Sequence, residues 1–263
     1  MNEQERKMYD FMWVLIETVG KKLKVKRNSE VVKAFEKSSH SDLVTEHDVY
    51  VDNLLTSEIK DKFPYHCILS EEGGNCRSQN NEGYRWIIDP IDGTTNYFRN
   101  GKDYAISIAL YNIDKPVFGL VYDCSNNIMY SGIHGQKIEN DNACEVKELK
   151  NAVISMSSKT IKSMFEKGVN VIDLLSKAQA HRYLGCASIE ICKVANKEYD
   201  MYISTNVYEW DIAAARIYLE QRGGHMVTKK ATYSKDFNDK FFVAAFKSKK
   251  LWEETKTLIK FDE

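Results

Sequence analysis

The stretch YRWIIDPIDGTTNY (84–97) constrains the fold more than any other part of the chain. Its first residues are mostly apolar, of strand length, and end on Asp89, with Asp92 three positions later. A run that is apolar on both faces predicts a strand buried within a sheet. Its last residues then leave the sheet at the carboxyl end of the strand. Two acids there repel each other unless a cation neutralises them. Taken alone, DPIDG also suits a plain turn, because Pro90 fixes φ and Asp-Gly favours tight reversals. HCILSEE (66–72) weakens that alternative by ending a second apolar strand on Glu71 and Glu72.

The natural partner for such a group of carboxylates is Mg2+, a hard ion that prefers oxygen ligands. Gly93-Thr94-Thr95-Asn96 follows directly. A glycine before small hydroxyl residues lets backbone N–H groups approach an anion. Carboxylates for a metal beside amides for an oxyanion describe a site for a phosphate ester. Two further acids have ordinary readings. Asp48 stands three residues after Thr45, a capping-box spacing. Asp211 heads DIAAARIYLEQR, where an acid favours the helix dipole.

The remaining pattern sets the fold class. Met8, Phe11, Met12, Leu15, Ile16, Val19 and Leu23 predict an opening amphipathic helix, and Val44 to Ile59 a second. YAISIALY, PVFGLVYD and NIMYSGIH predict three consecutive strands joined by short turns. Strand NAVISM, a helix across 160–178, a strand around Arg182 to Leu184 and helix ASIEICKVANKE follow. Strand YDMYIS, helix DIAAARIYLEQR closed at Gly223-Gly224, strand FFVAAF and a helix from Ser248 complete the chain. Helices before a meander, then strands alternating with helices, predict a layered α+β sandwich.

Charge and composition exclude several classes. The net charge of −1, with Lys and Arg spread along the chain, argues against a nucleic-acid binder. No run reaches the roughly 18 apolar residues that span a bilayer. The N-terminus, MNEQERKMYDFMW, lacks the apolar core of a signal peptide, so a cytoplasmic location is expected. The six cysteines show no CxxC pair and no zinc spacing. They read as small hydrophobes in a reducing compartment, with Cys67 and Cys192 inside apolar runs.

WIIDPIDGTTNY resembles the signature of the inositol monophosphatase family, the magnesium-dependent, lithium-sensitive phosphatases. KSSHSDLVTEHD (37–48), LSEE (69–72) and EWDIAAARIYLEQRGG (209–224) resemble three further segments of that family, in the same order. The resemblance implies an α-β-α-β-α sandwich over a single domain, 1–263, with halves at about 1–150 and 151–263. It implies two or three Mg2+ ions. Glu71, Asp89 and the Ile91 carbonyl would hold one, and Asp89, Asp92 and Asp211 a second. Asp48 and Thr94 would polarise the attacking water, and Gly93 and Thr94 would donate backbone bonds to the phosphate. The implied activity is in-line hydrolysis of a small phosphate ester, with no phosphoenzyme.

HRYLGCASIE (181–190) resembles the family's substrate segment and places Arg182, Gly185 and Ala187 beside the substrate, with Cys186 where many relatives carry Ser or Thr. Members specialised for inositol phosphate have a Glu where this chain has Ser204. Inositol 1-phosphate is therefore expected together with broader substrates, including NADP and fructose 1,6-bisphosphate. IHGQKIENDNACEV (133–146) departs from the family's glycine-rich hairpin and reads as a surface turn. His40 and Ser41 read as solvent-exposed. The family implies a homodimer, with the apolar strands of 104–134 as one source of interface. No membrane or nucleic-acid partner is expected. A non-catalytic or dual-role interaction protein on the same fold is the alternative.

Overall fold

A computed structural model of the chain describes residues 1–37, 43–73, 83–138, 148–230 and 239–259. His40, Ser41 and most of the 133–146 segment lie outside the described residues. The described chain divides into two units, one of 1–134, 185–189 and 210–217 and the other of 135–184, 190–209 and 218–263.

The first unit opens with α1 (Glu3–Ser29), whose buried residues Met8, Met12, Ile16, Val19 and Leu23 are those the 3.6-residue spacing predicted. A short hairpin follows, β1 (Ala34–Glu36) with β2 (Leu43–Thr45). Then come α2 (Glu46–Lys62), β3 (Cys67–Ser70), β4 (Tyr84–Asp92) and α3 (Thr94–Arg99). The meander β5 (Ala105–Asn112), β6 (Lys115–Asp123) and β7 (Ile128–Ile133) completes a sheet ordered β3-β4-β5-β6-β7. Trp86, Ile88, Ile106, Ile108, Phe118 and Leu120 form one core with the buried faces of α1 and α2. Most apolar residues of β5 and β6 are buried, while Ile113 and Ile128 in the same 104–134 stretch are exposed.

The second unit carries β8 (Val153–Met156), α4 (Ser158–Glu166), α5 (Val171–Lys177) and β9 (Ala180–Arg182). Helix α6 (Ala187–Ala195), strand β10 (Met201–Val207) and helix α7 (Glu209–Gln221) follow in the chain. The last elements are β11 (His225–Lys230), β12 (Phe241–Phe246) and α8 (Lys249–Ile259). Its sheet is ordered β11-β12-β10-β8-β9.

Four expectations are corrected. The helix across 160–178 is two helices, because Gly168 takes φ 74, a left-handed conformation that stops α4. The strand around Arg182 to Leu184 ends at Arg182 and begins at Ala180. β11 follows the paired glycines, where no strand was expected. Cys124, Cys186 and Cys192 are buried thiols outside any disulfide, whereas Cys67 is disulfide-bonded. Cys67 opens β3 half-buried, and full burial starts only at Ile68, so its apolar neighbours do not enclose the thiol. No helix among the described residues is long and apolar enough to cross a membrane.

Candidate active site

β3 and β4 run parallel, with Ser70 opposite Ile88. Their carboxyl ends therefore lie at one end of the sheet, and the Glu71 N–H donates to the Ile88 carbonyl at 3.2 Å. Glu71 and Asp89 stand side by side just past the last parallel pair, with Asp89 still paired to β5. Open sheets place ligands beyond the carboxyl ends of parallel strands.

The segment read as strand plus turn is one strand with a bulge. Asp89 pairs with Ser107 and Asp92 with Ala105, three steps on β4 against two on β5. Residues three apart on a regular strand face opposite ways. The extra residue restores the phase, so both aspartates share a face. Pro90, which lacks an N–H to donate, sits inside that bulge. Asp211 stands in the first turn of α7, two residues after the helix begins rather than at its head. The preceding Trp210 carbonyl accepts from the Ser107 hydroxyl at 3.3 Å, which ties the start of α7 to the strand beside Asp89.

Gly93 caps α3 with φ 87 and ψ 38. A Cβ at this position would stand 3.0 Å from the Asp103 carbonyl oxygen and 3.2 Å from Cys186 Cβ, so only glycine fits. The chain can then turn into α3 and present Thr94. The Thr94 hydroxyl contacts Asp48 Oδ1 and the Ile91 carbonyl, each at 3.0 Å.

Asp48 both caps α2 and faces Thr94. Its Oδ2 accepts from the Thr45 N–H at 2.8 Å and from the Thr45 hydroxyl, the capping box of α2. Its Oδ1 remains for Thr94. Asp92 is held by the start of α6, with Ala187 N–H at 3.2 Å and Ser188 N–H at 2.6 Å. Ala187, expected beside the substrate, thus bonds an acid of the cluster through its backbone, and sequence spacing gave no signal for that bond. Arg182 and Ser204 belong to the second unit, on β9 and β10. Gly185 belongs to the first.

The electrostatics show what this arrangement lacks. Asp89 is held well above the usual carboxylate range, first by burial and then by the charges of Glu71, Asp92, Asp211 and Asp48. Burial also raises Asp92 and Glu71. It pushes Asp48 up to about 6, partly offset by its bonds from Thr45 and Thr94. Lys37 donates to Glu71 at 2.8 Å and to Glu72. Sequence reading passed over this lysine, although it opens the KSSHSD segment. One ammonium does not offset the burial of both carboxylates, which stay raised. Among the described residues, the bonds to Asp48, Asp89 and Asp92 come from amides, hydroxyls and a thiol, not from lysine or arginine. Five acids of one sign and all-oxygen chemistry fit a hard divalent cation. Among the described residues, no three acid, histidine or cysteine side chains already close round one point at metal-binding range.

Comparison with known proteins decides the family. The model of the inositol monophosphatase family matches residues 4–260. The chain belongs to the inositol monophosphatase family. It is 32% identical over 198 residues to inositol-1-monophosphatase of Bacillus subtilis, covering 73% of this chain and 74% of that protein. It is 30% identical over 204 residues to Nus factor SuhB of Vibrio cholerae, covering 74% of this chain and 75% of that protein. A solved staphylococcal inositol monophosphatase-1, a lithium chloride-soaked inhibitory complex, superposes with TM-score 0.80 at 23% identity, covering 99% of this chain and 96% of that one. That likeness shows the fold, the layered α+β sandwich of the inositol monophosphatase type. As a member of this family, the protein is a phosphatase that hydrolyses phosphomonoesters.

Proposed function

We propose that the protein is a magnesium-dependent phosphomonoesterase, acting as a single domain over 1–263. Inositol 1-phosphate is its first substrate, with NADP 2′-phosphate and fructose 1,6-bisphosphate within its range. The observation that carries this reading is Asp89, buried just past the parallel pairing of β3 and β4 and raised first by that burial and then by the charges of four other acids. A cation there relieves a repulsion that the protein's own amides and hydroxyls do not.

Glu71, Asp89 and the Ile91 carbonyl would hold one ion, and Asp89, Asp92 and Asp211 a second, with a weaker third near Glu71. When bound, magnesium supplies a water acidic enough to ionise near neutral pH and positive charge against the ester. Asp48 holds the Thr94 hydroxyl and takes a proton through it, so Thr94 orients the attacking water. A carboxylate pushed up to about 6 is a proton acceptor matched to near-neutral pH. Gly93 and Thr94 would donate backbone bonds to the phosphate, and Arg182, Gly185, Ala187 and Ser204 are the substrate residues that the family resemblance implies. No side chain becomes phosphorylated.

Solved IMPase/NADP phosphatases support the metal and the breadth. One is complexed with Mg2+ and phosphate, and another with NADP and Ca2+. The test is phosphate release from inositol 1-phosphate, NADP, fructose 1,6-bisphosphate and 5′-AMP, with Mg2+, with EDTA, and with Mg2+ plus lithium. Release that needs Mg2+ and falls with lithium is expected. A protein that binds Mg2+ yet releases phosphate from none of them would favour the second reading, an interaction role like that in the name of the Vibrio relative. A reducing cytoplasm is one location to test, and the Cys67 disulfide points to an oxidising one. Fractionation with thiol trapping decides between them. A homodimer is expected by light scattering at micromolar concentration.

A further inference from the structure

His47 and Tyr97 are buried polar residues that the reading above leaves unused. His47 is 3% exposed, and Tyr97 is wholly buried. His47 lies in the first turn of α2, one residue before Asp48, and Tyr97 lies in α3, three residues after Thr94. The two elements that present the Asp48–Thr94 pair are thus joined a second time, by His47 Nδ1 and the Tyr97 hydroxyl at 2.5 Å.

With a neutral imidazole the bonding runs in one direction. His47 Nε2 stands 3.2 Å from Glu30 Oε2. A carboxylate only accepts, so Nε2 carries the proton of the neutral ring, an assignment made from this network. Nδ1 is then the acceptor and the Tyr97 hydroxyl the donor. Burial raises the Tyr97 hydroxyl above its ordinary range, which keeps it a phenol able to donate. Glu30 caps the end of α1. From the same turn, Arg27 donates to the carbonyls of Tyr97 at 2.5 Å and Phe98 at 2.9 Å. α1, α2 and α3 therefore meet in a closed circuit of hydrogen bonds beside the acidic cluster.

We propose that His47 and Tyr97 are positioning residues of the active site: the Tyr97–His47–Glu30 chain fixes the first turn of α2 against α3 and holds Asp48 in register with the Thr94 hydroxyl. The inference rests on the reading of Asp48 and Thr94 as the proton-transferring pair. A buried polar pair with a purely structural role would satisfy the same hydrogen bonds, so the test must separate positioning from stability.

The experiment is phosphate release from inositol 1-phosphate at saturating Mg2+, with melting temperature measured on each variant. Tyr97→Phe removes one hydroxyl from the circuit. Its kcat is expected to fall about tenfold, with KM within about twofold, because small misplacements of reacting groups cost one to two orders of magnitude. In a Thr94→Ala background the same change should cost nothing more, since the pair it positions is gone. His47→Asn, whose amide oxygen can stand where Nδ1 stood, should retain more activity than His47→Leu. Wild-type kcat in Tyr97→Phe, or an equal loss in both backgrounds, would overturn the proposal. Asp48→Asn serves as the control. If it keeps turnover, the proton-transfer reading fails and the positioning inference with it. If it is inactive while Tyr97→Phe is wild-type, only the positioning inference fails.

Discussion

The Thr94 hydroxyl lies 3.0 Å from Asp48 Oδ1, while the other oxygen of Asp48 is already committed to the N–H and hydroxyl of Thr45. One carboxylate therefore caps a helix and orients a hydroxyl at once. Thr94 has a single proton to donate, and the Ile91 carbonyl at 3.0 Å competes for it. Removing the hydroxyl with Thr94→Ala should lower kcat about a hundredfold, the low end of a general-base contribution. Thr94→Ser should recover most of it. Steady-state kinetics on both variants checks the pair, and equal activity in Ala and Ser would remove Thr94 from the chemistry.

Asp89 is held well above the usual carboxylate range, by burial first and then by the charges of four other acids. Asp89→Asn keeps the shape and removes the charge. Magnesium-dependent turnover should fall by about a thousandfold, in keeping with the several kcal/mol a catalytic metal supplies. Mg2+ affinity by calorimetry should weaken in parallel, while circular dichroism stays unchanged. Near-normal activity in this variant would sink the metal assignment.

The acidic cluster also fixes how stability depends on pH. Asp48 rises from an ordinary value of 3.8 to about 6 on folding, through burial first. A carboxyl raised in the folded state contributes most below its unfolded pKa, and that contribution is lost as pH rises through the folded value. Glu71, Glu72, Asp89 and Asp92 shift in the same direction. Metal-free protein should therefore lose stability between about pH 4 and 7, and Mg2+ should raise the melting temperature more at pH 8 than at pH 5. Asp48→Asn, whose amide has no charge to gain as pH rises, should flatten the profile of the metal-free protein. Thermal unfolding in EDTA and in Mg2+ reads both effects. A metal-free protein most stable at pH 8 would contradict them.

Much of this site was legible in the sequence, for reasons that apply locally. Apolar strands ending in acids predicted that Glu71 and Asp89 lie close together at one end of a sheet, and the Thr45-to-Asp48 spacing predicted the cap that the structure shows. The bulge between Asp89 and Asp92 was not legible, because register belongs to the pairing with β5 and not to β4 alone. Asp-Pro and Asp-Gly signalled a turn, and the chain instead kept its pairing and shifted phase. The His47–Tyr97 bond was hidden by the separation of its partners, 50 residues apart in sequence. The two helices within 160–178 were legible in principle, since Gly168 stands between them, yet apolar periodicity carried the reading past it. The three-residue strands β1 and β2 are too short to show any period.

Gly93 offers a test of backbone geometry independent of charge. Gly93→Ala places a Cβ at φ 87, where L residues are strained, and 3.0 Å from the Asp103 carbonyl oxygen. The cost should be about 1–2 kcal/mol by denaturant unfolding. Activity should fall further than stability predicts, since the strain sits one residue before Thr94. Unchanged stability would mean that the turn relaxes, and the left-handed conformation would then not be required there.

Ser204 provides the means to test specificity. It lies on β10, 9% exposed, at the start of the irregularity that separates it from Val207 in the pairing with β12. The resemblance to family members specialised for inositol phosphate implies a Glu where this chain has Ser204. A carboxylate accepts hydrogen bonds from vicinal hydroxyls and repels a substrate that carries extra phosphate charge. Ser204→Glu should therefore raise the ratio of kcat/KM for inositol 1-phosphate over NADP, by about tenfold if the new pair contributes about 1.4 kcal/mol. The gain should come mainly through KM, because the hydroxyls do not react. The two substrates measured side by side give the ratio, and the melting temperature of the variant shows whether the new charge is tolerated. A ratio that stays constant in a folded variant would place the specificity of this enzyme elsewhere than Ser204.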